Sequence, residues 1–182
     1  MSEIDRKNIV YIGTSLDGYI ADKEGKLDWL EIIPIPDGND LGYSRFMENI
    51  DALVMGRNTY DVVLGFDIPW PYTKPVFVLS NSLQVVPEEL RDRVELVNGP
   101  PEKVVKKING KGYSRLYIDG GKVIQSFLEK DLIDEMIITK LPILLGGGIP
   151  LFGSHEKQMA FEHVSTEVML NAMVKSHYRR IR

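Results

Sequence analysis

The sequence predicts an α/β fold: a doubly wound, mixed and mostly parallel sheet with helices on both faces and an antiparallel C-terminal hairpin. Between residues 52 and 141, short apolar, β-branched runs alternate with stretches of helical length, the pattern of right-handed βαβ crossovers. The last strand-like runs, 161–168 and 172–180, follow one another without a helix and turn near Leu170-Asn171, which makes that end of the sheet antiparallel. Glycine stands where several runs end, at Gly13, Gly56 and Gly120-Gly121.

Residues 8–13 are apolar and β-branched and read as the first strand. The stretch 15–38 is long for a loop in a compact domain, and such loops are usually functional or disordered. Its Leu16, Tyr19, Ile20, Leu27, Trp29 and Leu30 are too apolar for disorder, so it is expected to fold over something. Residues 41–48 read as a short helix, 52–55 as the second strand, and a helix starts at Asn58 or Thr59. Residues 76–79 form the third strand, ending at Ser80-Asn81-Ser82, and 94–97 the fourth. Pro101 suits a first helical position, where its missing N–H costs nothing, and that helix runs to about residue 108. Residues 116–118 are the fifth strand, 122–129 a helix and 135–141 the sixth strand, with a turn at Gly146-Gly147-Gly148.

The 182 residues suit a single domain spanning 1–182, with 43% hydrophobic and 26% charged residues. A net charge of −4 leaves no polyanion footprint, so nucleic acid is not an expected partner. The basic end, Tyr178-Arg179-Arg180-Ile181-Arg182, reads as the solvated face of a last strand. There is no cysteine, which excludes disulfides, thiolate chemistry and cysteine-ligated zinc. His155, His163 and His177 lack ligand spacing and read as surface or satisfied histidines, so no metal is expected. No apolar run approaches a membrane span of about 20 residues, and a cytoplasmic protein is expected.

In open α/β sheets, ligands bind beyond the carboxyl ends of the strands. Gly13-Thr14, Gly56, Ser80 and Gly120-Gly121 all fall there. Met55-Gly56-Arg57-Asn58-Thr59-Tyr60 and Tyr117-Ile118-Asp119-Gly120-Gly121-Lys122-Val123-Ile124 each begin as a strand, turn on glycine and open a helix. Glycine lets backbone N–H groups approach a phosphate, and helix N-termini favour negative charge. Arg57 adds a charge-assisted contact of roughly 1.5–3 kcal/mol, and Thr59 and Ser80 add hydroxyls. The competing readings are structural: a plain strand-to-helix turn at Gly120-Gly121, an Asx turn at Asp17, a core position for Trp29, and an Arg57 paired with Asp61.

The motifs resemble the dihydrofolate reductase-like superfamily, within it the group of the riboflavin-biosynthesis C-terminal reductase domain. Ser15-Leu16-Asp17-Gly18-Tyr19-Ile20-Ala21 is similar to that group's S-L-D-G-x-I-A signature, and Gly56-Arg57-Asn58-Thr59-Tyr60 to the superfamily's G-R-x-T-[WY]. Val78-Leu79-Ser80, Asp119-Gly120-Gly121 and Pro142-Ile143-Leu144-Leu145-Gly146-Gly147-Gly148 resemble its strand end, glycine pair and P-x-L-L-G-G-G run. The resemblance implies a dihydrofolate reductase-like fold and NADPH as cofactor. Gly56, Arg57, Asn58 and Thr59 would hold phosphates, and Leu79, Ser80, Asn81 and Ser82 would lie by the adenosine 2′-phosphate. Gly120, Gly121, Lys122, Val123 and Ile124 would line the pyrophosphate and nicotinamide, with Gly13 and Ile20 flanking the ring. Trp29 and Asp17 would belong to a flap over the substrate, Asp17 as the polar catalytic participant, and Thr139 would stand near a bound heterocycle.

Folate reductases carry an acid on their first helix, four residues before a phenylalanine. Phe46 supplies the phenylalanine here, but the acid's place is Gly42; Asp40 is displaced to the helix start, as a substrate anchor or as a helix cap. The resemblance implies a reductase of a small heterocyclic substrate, closest to 5-amino-6-(5-phosphoribosylamino)uracil reductase, acting as a homodimer. The alternatives are a dihydrofolate reductase anchored by Asp40 and a non-catalytic NADPH-binding or sensing protein.

Overall fold

The computed structural model describes residues 5–154 and 156–182, so His155 lies outside the described residues. Strands β1 (Lys7–Thr14), β2 (Tyr19–Ala21), β3 (Ala52–Gly56), β4 (Val76–Leu79), β5 (Val94–Val97), β6 (Arg115–Asp119), β7 (Glu135–Lys140), β8 (Ile149–Pro150), β9 (Phe161–Met169) and β10 (Met173–Arg180) are joined by helices α1 (Tyr43–Glu48), α2 (Arg57–Leu64), α3 (Pro101–Gly110) and α4 (Gly121–Glu129). The eight-stranded main sheet has the order β5-β4-β3-β6-β1-β7-β10-β9. It is parallel from β5 through β7 and antiparallel at β10 and β9.

The central strands are almost wholly apolar because both faces are covered. Val10, Val54, Leu116 and Ile118 face α3 and α4 through Val104, Ile108, Ile124 and Phe127. Ile9, Leu53, Met55 and Tyr117 face the other way, toward Tyr60 of α2 and the half-buried Tyr43 and Phe46 of α1. Pro101 opens α3 as expected. The hairpin turns at Leu170 and Asn171, both with φ of 51°, the double left-handed turn whose twist matches flanking strands.

The long stretch after β1 is not a plain loop. Its β2 pairs with β8 in a two-stranded sheet, and a 3-10 turn follows at Asp28–Ile32. Trp29, Leu141 and Met173 form a small separate core beneath it. Gly148 permits this closure: its φ is 143°, and a Cβ there would strike the Ala21 carbonyl. The strand pairing was invisible in the sequence because β2 and β8 are only three and two residues long.

Candidate functional site

The carboxyl ends of β1, β3, β4, β6 and β7 meet along one edge of the sheet. Gly56 is in register with Leu79, Met55 with Asp119, and Gly13 with Thr139, so most of the expected residues converge there. Helices α2 and α4 start from the adjacent strands β3 and β6, and their first N–H groups have no partner within the helix. Gly120 has φ of 89°, and a Cβ on it would collide with the Thr59 hydroxyl, so the two junctions touch. Likewise, a Cβ on Gly56 would stand 3.1 Å from Val123 Cγ2.

Arg57 reaches sideways from α2. Its Nη1 donates to Ser82 Oγ at 3.0 Å and its Nε to Asp61 Oδ2 at 3.3 Å, so both expected arrangements hold at once. Ser80 shapes the loop after β4: its Oγ accepts from Ser82 N at 3.2 Å and Leu83 N at 3.0 Å. Asn58 and Asn81 are exposed beside this pair.

Other residues take structural positions. The Val123 and Ile124 side chains lie in the core, and Ile124 N–H is spent on Gly120 O at 2.9 Å. The backbone N–H groups at the start of α4, from Gly121 to Val123, and the exposed Lys122 side chain remain for an anion. Gly121 is covered by the flap, since a Cβ there would lie 2.9 Å from Ile20 Cδ1. Gly13 is covered by Leu30, whose Cδ2 is 3.2 Å from the same built position. Trp29 is buried, with its Nε1 unpartnered among the described residues, and so is the Thr14 hydroxyl at the end of β1.

Asp17 binds loops together. Its Oδ1 accepts from Ser15 Oγ at 2.6 Å and Leu145 N at 3.1 Å, and its Oδ2 from Gly146 N at 2.8 Å. The Ser15 hydroxyl and these amides hold its carboxyl below the ordinary value. A carboxylate so engaged is a poor proton donor. Asp40 caps α1: Oδ1 accepts from Gly42 N at 2.9 Å and Oδ2 from Ser44 N at 2.7 Å, and Ser44 keeps its carboxyl low. It is fully engaged at the helix start rather than turned toward a ligand.

The residue sequence reasoning gave no role is Asp119. Tyr117 and Asp119 alternate on β6 and so share the face covered by α1. Burial pushes the Asp119 carboxyl up to about 6, partly offset by the Gly120 N–H, which donates to Oδ1 at 2.8 Å, and by the nearby Tyr117 hydroxyl. Its charge adds to burial in raising the phenols of Tyr43 on α1 and Tyr72 in the loop after α2. The available signal was an acid at the carboxyl end of a central strand, directly before the glycine pair.

A separate groove of about 310 Å³ lies on the far side of α1, toward the opposite ends of β1 and β6. Among its charged groups Lys175 pairs with Glu167 at 3.3 Å and His177 with Glu135 at 2.9 Å, while Arg45 lines it without an ion pair among the described residues.

Residues 6–175 match the family model of the RibD C-terminal domain. The uncharacterized protein YwjB of Bacillus subtilis (strain 168) is 33% identical over 180 residues, 97% of this chain and 99% of YwjB. A crystal structure from Shewanella sp. PV-4, of a candidate riboflavin biosynthesis protein, is 55% identical with a TM-score of 0.93, covering 97% of this chain and 99% of that one. Dihydrofolate reductase from Enterococcus faecalis, complexed with NADP(H), shares the fold at a TM-score of 0.66 and 19% identity, over 98% of this chain and 99% of that one. By its sequence and its mixed eight-stranded sheet, the chain belongs to the RibD C-terminal domain family, on the dihydrofolate reductase-like fold.

Proposed function

We propose that this chain is an NADPH-dependent reductase of a small heterocyclic substrate, closest in chemistry to 5-amino-6-(5-phosphoribosylamino)uracil reduction. The observation that carries the reading is the pair of touching helix starts, at Gly56-Arg57 and Gly120-Gly121, with Arg57 bridging to Ser82. Free N–H groups beside a guanidinium and hydroxyls suit a pyrophosphate and a 2′-phosphate, so the residues present fit the cofactor. When bound, such a cofactor supplies a hydride to an unsaturated carbon. Arg57, Ser80, Asn81 and Ser82 would hold its adenosine end, and Asn58, Thr59 and the start of α4 its phosphates. Ile20 and Leu30 would exclude water above Gly121 and Gly13.

The proton has a better source than Asp17. Asp119 is neutral below pH of about 6 and stands at the end of β6. Its carboxyl would deliver a proton to the nitrogen of a C=N bond while the carbon receives the hydride. Thr139, on the strand next to Gly13, borders the same edge. The exposed edge strand β9 supports a homodimer, because it offers a second copy an unpaired strand.

The test is NADPH oxidation with a panel of pyrimidines and pterins. Oxidation with at least one compound is expected. Tight cofactor binding with no oxidation by any member would replace the reductase by a sensing protein.

A further inference from the structure

We infer that Asp17 is a positioning residue, whose carboxylate locks the flap and the segment after β7 into one roof over the start of α4. The cofactor role of that roof rests on the reductase reading above. Residues 15–21 and 143–151 are far apart in sequence but joined along a seam. Leu16 N–H donates to Ile143 O at 2.8 Å and Leu151 N–H to Gly18 O at 2.9 Å, and β2 pairs antiparallel with β8. Asp17 is the one side chain among the described residues whose hydrogen bonds cross this seam, to Leu145 N at 3.1 Å and Gly146 N at 2.8 Å. It is itself held from behind. Ser15 Oγ donates to it at 2.6 Å and accepts from Tyr19 N–H at 2.9 Å, at the head of β2. One chain of bonds therefore runs from Gly146 through Asp17 and Ser15 to the first residue of β2.

The underside of the roof is apolar and comes from both strands. A Cβ built on Gly121 would lie 2.9 Å from Ile20 Cδ1 and 3.2 Å from Ile149 Cγ2. The second strand is also tied to α4, because Pro150 O accepts from Gln125 Nε2 at 2.9 Å. Apolar contacts have no direction, so the seam must fix where Ile149 rests. Its backbone run offers little restraint there. Gly146, Gly147 and Gly148 all have positive φ, 67°, 150° and 143°, and glycine is the residue with the most freedom to lose. Asp17 holds that run at its entry, three residues before Ile149. It acts through Ile20 and Ile149 on the start of α4, where the cofactor's phosphates are proposed to lie, and takes no part in the transfer of hydride or proton.

The experiment combines amide hydrogen exchange with NADPH titration on the wild type, Asp17→Asn and Asp17→Ala. Asparagine keeps the shape but turns a donor toward one of the two backbone N–H groups. Both variants should speed exchange at Leu16, Leu145, Gly146 and Leu151 together and leave the amides of β3 and β6 unchanged. The Kd for NADPH should rise roughly tenfold, as for the loss of one charge-assisted bond. With any substrate that is turned over, KM for NADPH should rise while kcat at saturating NADPH stays within about threefold. Faster exchange confined to Leu145 and Gly146 overturns the single roof. A loosened seam with an unchanged Kd, or loss of the fold in both variants, makes Asp17 purely structural and also overturns the inference. A fall in kcat with KM kept makes it a catalytic participant instead. Failure of the wild type to bind NADPH overturns the reductase reading, and exchange in the variants then decides whether the roof is one body.

Discussion

Replacing Asp119 by asparagine keeps the shape and removes the charge. In the folded chain the carboxyl titrates at about 6, against an ordinary 3.8. Unfolding returns it to the ordinary value. Between pH of about 4 and about 6 the native state therefore holds the proton more tightly than the unfolded state. That stability is fully present below about pH 4 and is lost as pH rises through about 6. At about 1.36 kcal/mol per pH unit the loss is about 3 kcal/mol, and partial exposure of the residue brings it toward about 2. Urea denaturation of both proteins from pH 4 to pH 8 measures it. The wild type should fall behind Asp119→Asn by about 2–3 kcal/mol as pH rises, while other titrating groups cancel in the difference. A difference independent of pH would refute the reasoning. The same titration appears in catalysis: kcat/KM should decline above pH of about 6, and Asp119→Asn should lose roughly 10²–10⁴-fold and flatten the profile.

Arg57→Ala should weaken NADPH roughly 10- to 100-fold and leave NADH unchanged, because the contact with Ser82 holds the guanidinium where the 2′-phosphate is proposed to lie; titration of both cofactors checks it. Gly120→Ala should cost about 1–3 kcal/mol in thermal or urea unfolding, from its φ of 89° and the collision with Thr59, and adding Thr59→Ala should recover part of that. Dihydrofolate turnover should stay well below the order of 1 per second typical of working enzymes, since Asp40 is committed to capping α1; steady-state assays decide it.

The main sheet was legible in the sequence because its strands are continuous apolar runs punctuated by glycine, and those signals are local. Leu170-Asn171 was readable as the turn for the same reason, as was Pro101. The β2–β8 pairing was not, because Tyr19–Ala21 and Ile149–Pro150 are distant in sequence and too short to show a period. The junction motifs singled out Arg57, Thr59, Ser80 and Ser82, and these side chains gather at one edge of the sheet, where the cofactor is proposed to lie. Val123 and Ile124 belonged to the same motif yet face the core, since every third or fourth residue of α4 must. The surroundings of Asp17 and Asp119 differ for a reason no linear pattern carries. The neighbours of Asp17 are donors from residues 145 and 146, whereas Asp119 is desolvated and meets the Gly120 N–H and the Tyr117 hydroxyl.

The glycine in the acid's place has a backbone cause. Leu41 and Gly42 both have positive φ, 56° and 84°, so the chain enters α1 through a left-handed turn. A side chain at 42 would be strained there, and its Cβ would stand 3.3 Å from Lys175 Nζ. Helix α1 consequently begins at Tyr43 and spans six residues, with Asp40 outside it holding the first turn. An anchor on the helix is thus excluded by the turn that starts it, and changing Gly42 to an acid would break the turn rather than restore the anchor. A half-buried carboxyl on this face, Asp119, comes from the sheet at the end of β6. It lies beside the glycine pair at the start of α4 rather than across the cleft from it. A ring held there would be gripped near its reacting atoms, so the group that binds it and the group that protonates it would be the same one. Where the folate reductase pattern has a helix acid, the proposed function gives the proton to Asp119, and a substrate that uses it would offer a proton acceptor close to the carbon that is reduced.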